Sequence, residues 1–131
     1  MTRNMLYISL AGAALLQVMF FLAIRHDLFW HLWWYDIPMH FLGGVVLGGL
    51  GIWLAGELQM WRGNAGVDAT GLTVVFFVMS IGGAWEIFEY STGNTFNTIG
   101  SYPLDIVKDL VMDLTGALAI FLYFRRKSLS A

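Results

Sequence analysis

The chain has 131 residues, of which 58% are hydrophobic and only 12% are charged, and its formal net charge is −2. A soluble protein of this length needs about 25% charged residues to cover its surface, so the composition predicts an integral membrane protein. The small negative charge excludes the basic surface of a nucleic-acid-binding protein. Without cysteine, the chain has no disulfide, no thiolate nucleophile and no sulfur ligand for a metal.

Four apolar stretches are long enough to cross a bilayer, whose hydrocarbon core takes roughly 20 helical residues. In chain order they cover residues 5–24, 37–56, 71–90 and 104–124. The first is too long for a signal peptide and has its small residues in the middle, so we expect it to be retained. Because the connections are short, we predict an all-α integral membrane protein, a single four-helix up-down bundle over residues 1–131.

Residues Leu28–Tyr35 (LFWHLWWY) predict a short interfacial segment before the second span, because tryptophan and tyrosine rings favour the head-group region. The basic residues predict the orientation. With alternating spans, five of them share one side, and only Arg25 falls in a connection on the other. The five are Arg3, Arg62, Arg125, Arg126 and Lys127. We therefore expect cytoplasmic N- and C-termini.

Ionisable side chains inside the predicted spans are the costliest residues of the chain, at about 2.5–3.5 kcal/mol each on insertion scales. Seven acidic or histidine residues lie in or at the edge of the spans, at helical spacings that place each group on one helix face. They are Asp36, His40, Glu86, Glu89, Asp105, Asp109 and Asp113. In an alternating bundle, the starts of the second and fourth spans and the end of the third meet in one half of the bilayer. Under the predicted orientation this is the outer half.

These carboxylates outnumber the cations near them, since Lys108 is the only cation in the fourth span. Either several carboxyl groups carry protons or a bound cation compensates their charge. Carboxylate oxygens and one imidazole suit Mg, Mn, Zn or Fe, so the predicted cofactor is a divalent metal. The predicted ligands are Asp36, His40, Glu86, Glu89, Asp109 and Asp113. For Asp36 and Asp105, a structural role at a helix start is an equal alternative.

Glycines give the second span a small-residue face, which includes Gly44-x-x-x-Gly48, and Gly82 and Gly116 do the same in the later spans. Such faces predict close helix packing. They also leave open a homo-oligomer formed through the glycine-rich faces.

Three short motifs within residues 33–122 resemble the small bacterial membrane proteins of the VanZ-like and YjdF-like type. They are Asp36-x-x-x-His40-Phe41, Trp85-Glu86-Ile87-Phe88-Glu89, and Asp105…Asp109…Asp113-Leu114-Thr115-Gly116-Ala117. The chain departs from the VanZ pattern, which usually has Glu-x-x-Gln in the second motif and Asn four residues after the aspartate in the third. The resemblance implies a protein of the bacterial inner or plasma membrane that belongs to the cell envelope, with a loose association with glycopeptide resistance for VanZ. It supplies no reaction.

Three functions fit these observations, and whether the protein is an enzyme stays open. The leading hypothesis is a divalent-metal site that acts on, or binds, a lipid-linked envelope substrate, where the metal would polarise a phosphoryl or carbonyl oxygen or activate water. The second is a cation or proton pathway through the intramembrane acids, although the inner half has few polar residues beyond Glu57 and Thr73. The third is a non-catalytic lipid-binding or accessory subunit. The predicted partners are membrane lipids and not nucleic acid.

Overall fold

The computed structural model describes residues 2–62, 67–93 and 100–130, and all regular structure in these ranges is helical. One short helix and four long helices follow in chain order. They are α1 Thr2–Arg25, α2 Leu28–His31, α3 Asp36–Arg62, α4 Val67–Thr92 and α5 Tyr102–Leu129. The all-α prediction is confirmed for the described chain, and each long helix extends past both ends of its predicted span. The side chain of Arg62, which contributes to the charge bias, lies outside the described residues.

Three of the long helices are long and apolar enough to cross a membrane, with mean hydropathies of 2.1, 1.6 and 1.7. The three stretches are Thr2–Arg25, Asp36–Leu58 and Thr70–Thr92. Helix α5 has 28 residues, but four charged residues lie within its predicted span of 104–124: Asp105, Lys108, Asp109 and Asp113. Length and composition therefore give three spans, and a crossing by α5 stays a prediction.

Helix α3 is the centre of the fold, because α1, α4 and α5 all pack against it. Helices α1 and α3 run in opposite directions, since Thr2 at the start of α1 lies against Gly56 near the end of α3. Helices α3 and α5 run in the same direction, since Lys108 near the start of α5 contacts Asp36 at the start of α3. The first turns of α3 and α5 therefore lie at the same end of the molecule.

Glycines bring α3 and α5 into close contact. A Cβ atom at Gly44 would overlap the backbone carbonyl of Asp113, and a Cβ atom at Gly116 would overlap the carbonyl oxygen of Phe41. Backbone atoms of one helix therefore occupy the space that a side chain on the other would need. The prediction of close packing through small residues is confirmed at this interface, and it is realised within one chain.

Buried apolar side chains form two clusters at opposite ends of the fold. The larger cluster joins all four long helices and consists of Met5, Ile52, Val74, Val78, Ala117 and Ile120. The smaller cluster lies where the chain passes from α1 through α2 into α3, and it consists of Ala23, Phe29 and Met39. Within the described chain, the buried residues beside the larger cluster are apolar apart from Ser9 and Thr70.

The connection from α1 to α3 is folded back onto α1. The Tyr35 hydroxyl donates a hydrogen bond to the carbonyl oxygen of Met19 at 3.0 Å, and the Phe29 ring lies edge-on to Tyr35. Three tryptophan rings are exposed on this connection, Trp30, Trp33 and Trp34. Phe29 and Tyr35 thus hold the connection against α1, and the indole rings around them are exposed. An interfacial segment requires this arrangement.

Candidate functional site

A network of ionisable side chains, here named the Asp/His cluster, lies between the first turns of α3 and α5. Its members are Asp36 and His40 from α3, and Asp105, Lys108, Asp109 and Asp113 from α5. The three α5 aspartates are spaced four residues apart, so they lie on one helix face, and this face is only 3–5% exposed. Because α3 and α5 run in the same direction, Asp36 contacts Lys108, and His40, one turn further along α3, contacts Asp109 and Asp113.

Lys108 neutralises part of this cluster. Its Nζ atom lies 2.7 Å from Asp105 Oδ1, 2.9 Å from Asp36 Oδ2 and 3.1 Å from Asp109 Oδ1. The ammonium lies among three carboxylates because the start of α3 faces the same side of α5 as Lys108.

His40 occupies the centre of the cluster and contacts an aspartate through each ring nitrogen. Its Nε2 atom lies 3.5 Å from Asp36 Oδ1 and 3.7 Å from Asp109 Oδ1, and its Nδ1 atom lies 3.4 Å from Asp113 Oδ1. Asp36, His40 and Asp109 each offer one ligand atom within 4.8 Å of the others. Two ligands of a tetrahedral zinc ion, each about 2.1 Å from the metal, lie about 3.4 Å apart, so these three side chains have nearly the spacing that a metal requires.

Two buried carboxylate oxygens accept no hydrogen bond from the described residues, Asp109 Oδ1 and Glu86 Oε1. A buried acceptor without a hydrogen bond costs about 1–3 kcal/mol, and more if it is charged. Asp109 Oδ1 is the oxygen that faces His40 Nε2. The ammonium of Lys108, whose Nζ atom lies 3.1 Å from this oxygen, compensates part of its charge, and a cation between Asp109 Oδ1 and His40 Nε2 would compensate more.

Glycines also make room for the carboxylate of Asp113 between α3 and α4. A Cβ atom at Gly82 would lie 2.7 Å from Asp113 Oδ2, and a Cβ atom at Gly43 would lie 3.5 Å from Oδ1. The glycines that the sequence assigned to helix packing therefore also determine where this acid lies.

The two glutamates of α4 lie beside the Asp/His cluster. They do not belong to the triad of Asp36, His40 and Asp109 that has the spacing of metal ligands. The Tyr102 hydroxyl, at the start of α5, donates to the carbonyl oxygen of Glu86 at 2.9 Å, which fixes the end of α4 against the start of α5. Glu86 is 5% exposed. Glu89 accepts a hydrogen bond from Trp85 Nε1 at 2.9 Å. Their predicted role as metal ligands stays a prediction.

The remaining histidines are exposed and lie outside the cluster. His31 contacts the backbone carbonyl of Asp27 through Nδ1 at 2.8 Å, which ties the ring to its own short helix.

A cavity of about 430 Å³, here named the cleft, opens beside the cluster. Helices α1 and α4 both pack against α3 and are not packed against each other in the described chain, which leaves a gap over one face of α3. Most of the lining is apolar, and the ionisable residues among it are Asp36, His40, Glu89 and Asp113. The cluster is therefore accessible from the gap between two helices.

Sequence reasoning missed both the cleft and Gln17, whose side chain lines it from α1. A signal was present, since Gln17 is the one amide in the apolar run from residue 5 to residue 24. The cleft itself could not be derived from spacing, because it depends on which helices fail to pack against each other.

Comparison with known proteins gives one match. The model of a family described as "Predicted membrane protein (DUF2238)" matches residues 2–128, which include all of α1 and the whole Asp/His cluster. No curated protein and no solved structure matches the chain. The family description supports a membrane protein and does not bear on the resemblance to VanZ-like or YjdF-like proteins.

Proposed function

We propose that the chain, which belongs to the family of predicted membrane proteins DUF2238, binds a divalent cation within the membrane at Asp36, His40 and Asp109. The observation that carries this proposal is the convergence of their three ligand atoms. Asp109 Oδ1 is buried there and accepts no hydrogen bond from the described residues. Asp113, on the other ring nitrogen of His40, would hold the imidazole so that Nε2 faces the ion, as carboxylates behind metal-binding histidines do.

The charge balance supports the same proposal. Six carboxylates lie in the Asp/His cluster or beside it, namely Asp36, Glu86, Glu89, Asp105, Asp109 and Asp113. Among the described residues of the cluster, the compensating groups are the ammonium of Lys108 and the imidazole of His40. A divalent ion would compensate two of the excess negative charges in a region where uncompensated charge is costly. At Asp36, Lys108 contacts Oδ2 while Oδ1 faces His40. At Asp109, the ion would share Oδ1 with the ammonium of Lys108. The mixed oxygen and nitrogen ligands suit Mg, Mn, Zn or Fe.

We propose further that the ion acts on, or binds, a lipid-linked substrate of the cell envelope. The cleft supports this because it connects the cluster with the gap between α1 and α4. The ion would polarise a phosphoryl or carbonyl oxygen of the lipid. The resemblance of the three motifs to VanZ-like and YjdF-like proteins also supports a role in the cell envelope.

The proposed arrangement in the membrane is a four-helix up-down bundle in which α5 also crosses, with both termini in the cytoplasm and the Asp/His cluster in the outer half. Burial supports a crossing by α5, because its charged residues face α3 while an apolar stripe is exposed on its other side. This stripe consists of Leu104, Val107, Val111, Leu114, Leu118 and Leu122. Acids that face a bundle interior are tolerated in a membrane, whereas acids that face lipid are not.

Single-cysteine labelling tests this topology, and the absence of native cysteine means that no background has to be removed. We expect Ser101→Cys to react with a membrane-impermeant maleimide in spheroplasts of a bacterial host, and Ser128→Cys to react only after the membrane is broken. Both positions are exposed. Labelling of both cysteines from the same side would show that α5 does not cross.

Elemental analysis of purified protein tests the metal site. We expect about one divalent ion per chain in the wild type, and loss of the ion in Asp36→Asn and in Asp109→Asn. Asp113→Asn should bind the ion about 10–100-fold more weakly, since it acts on the ligand His40 and not on the ion. Glu57→Gln, which removes a carboxylate near the other end of α3, is the matched control and should keep the ion.

Wild-type protein that contains no metal and binds no added Mg, Mn, Zn or Fe would overturn the proposal. Retention of the ion by Asp109→Asn together with its loss in Glu86→Gln would overturn the assignment of ligands and favour the α4 glutamates. A transmembrane cation or proton pathway has less support, because the larger buried cluster at the other end of the fold is apolar.

A further inference from the structure

The cleft has the size and the composition of a site for an amphiphilic molecule. Its volume of about 430 Å³ is within the range of roughly 300–1,000 Å³ that is typical of ligand pockets. Apolar side chains form its long walls, with Leu16 and Phe20 from α1 and Leu47 from α3. The ionisable groups lie together at the end near the start of α3. A ligand that fits both regions has an apolar chain and one polar end.

The charge at the polar end is negative. Lys108, which compensates Asp36, does not contribute to the lining. Asp113 has its ion pair with His40. Glu89 has a hydrogen bond from Trp85, and within the described chain no lysine, arginine or histidine nitrogen lies within 4.0 Å of its carboxylate. Glu89 therefore brings into the cleft a carboxylate that has no ion pair with the described residues.

We propose that the cleft binds a single-chain amphiphile with an ammonium head group, whose head contacts Glu89 and whose chain lies along Leu16 and Phe20. An anionic head would be repelled by Glu89 and Asp113, and a neutral head would leave the Glu89 charge uncompensated in an apolar site. The aromatic rings of Trp85 and Phe29, which also line the cleft, offer faces that attract a cation. Because α1 and α4 are not packed together, the chain enters from the hydrocarbon phase.

This inference goes beyond the proposed function, because an ammonium head group offers no oxygen atom for the ion to polarise. It does not require the ion, since Glu89 lies outside the Asp36, His40 and Asp109 triad. Either proposal, the metal site or the amphiphile site, can therefore be wrong while the other is right.

Equilibrium binding of radiolabelled hexadecyltrimethylammonium to the full-length protein in lipid nanodiscs tests the inference. Empty nanodiscs supply the background from bulk lipid. Hexadecanol and hexadecyl phosphate, which have the same chain with a neutral or an anionic head, serve as competitors. We expect saturable binding of the ammonium compound, and at least about tenfold weaker competition by the other two.

Two variants with matched controls identify the site. Glu89→Gln should weaken binding of the ammonium compound by about tenfold or more, whereas Glu57→Gln should not. Ala13→Trp places a large ring in the cleft and should abolish binding. Ala119→Trp makes the same substitution at an exposed position of α5 outside the cleft, and it should bind as the wild type does. Retention of the metal by Glu89→Gln shows that this variant is folded.

Wild-type affinity in Glu89→Gln, or equal binding of hexadecanol, would overturn the inference. Preferential binding of hexadecyl phosphate that is lost in EDTA would also overturn it, and would leave the metal site standing with an anionic substrate. Conversely, a metal-free protein that binds the ammonium compound through Glu89 would overturn the metal proposal and support the cleft alone.

Discussion

Replacing Lys108 with methionine should lower the free energy of unfolding of the metal-free protein by about 3–5 kcal/mol, because removing one partner of a buried ion pair leaves its charged partners uncompensated. The Lys108 side chain is 16% exposed and contacts three carboxylates, from Asp36, Asp105 and Asp109. Methionine keeps the length of the side chain and removes only the ammonium. Denaturation of purified protein in EDTA measures the change.

The same Lys108→Met variant should bind a divalent ion about tenfold or more tightly than the wild type, and the added ion should restore most of the lost stability. The ammonium and the proposed ion share Asp36 and Asp109, so removal of one cation leaves more negative charge for the other. Lys127→Met, an exposed position on the same helix, should change neither property. Lys108→Met protein as stable as the wild type in EDTA would show that the cluster is not held together by the lysine.

Gly44→Leu should have the largest effect on folding, because α3 and α5 are in contact at this glycine. The Cβ atom alone would overlap the backbone carbonyl of Asp113, and a backbone carbonyl cannot move away as a flexible side chain can. Overpacking typically costs 1–3 kcal/mol, and this position should exceed about 3 kcal/mol because the two helices have to separate. The thermal midpoint of detergent-purified protein, or the loss of any folded protein, measures the effect.

The matched control for this prediction is Gly83→Leu. A Cβ atom at Gly83 meets no other atom within 4 Å, so the same change in side chain should be tolerated there. Separation of α3 from α5 would also move Asp109 away from His40, so any folded Gly44→Leu protein should have lost the metal. Equal stability of the two leucine variants would contradict the close approach of α3 and α5.

Much of the site could be predicted from the sequence because it depends on the same four-residue spacing in two helices. The four-residue spacing of Asp36 and His40, and of Asp105, Asp109 and Asp113, places each set on one helix face. Alternation of the helices then brings the faces to the same end. Neither step needs tertiary detail, so the sequence alone places His40, Asp109 and Asp113 at the same end of the molecule, where the structure brings them into contact.

The rest of the site depends on rotations of the helices about their axes, which spacing does not determine. A small rotation of α4 decides whether Glu86 or Glu89 faces the cluster, and in the structure only Glu89 lines the cleft. The position of Lys108 among three carboxylates depends in the same way on the rotation of α5 against α3. The gap between α1 and α4 is a property of helices that do not pack together, and residues that make no contact leave no pattern in a sequence.

The peripheral position of α1 separates two parts of the site, the Asp/His cluster and the cleft. Every member of the Asp/His cluster comes from α3 or α5, and α4 packs against both of these helices. Helix α1, in contrast, packs mainly against α3 and supplies one wall of the cleft. The charged centre thus lies between α3 and α5, with α4 packed on both, while the cleft lies between these helices and α1. A substitution in α1 can therefore change which ligands fit the cleft without changing the charged side chains that line it.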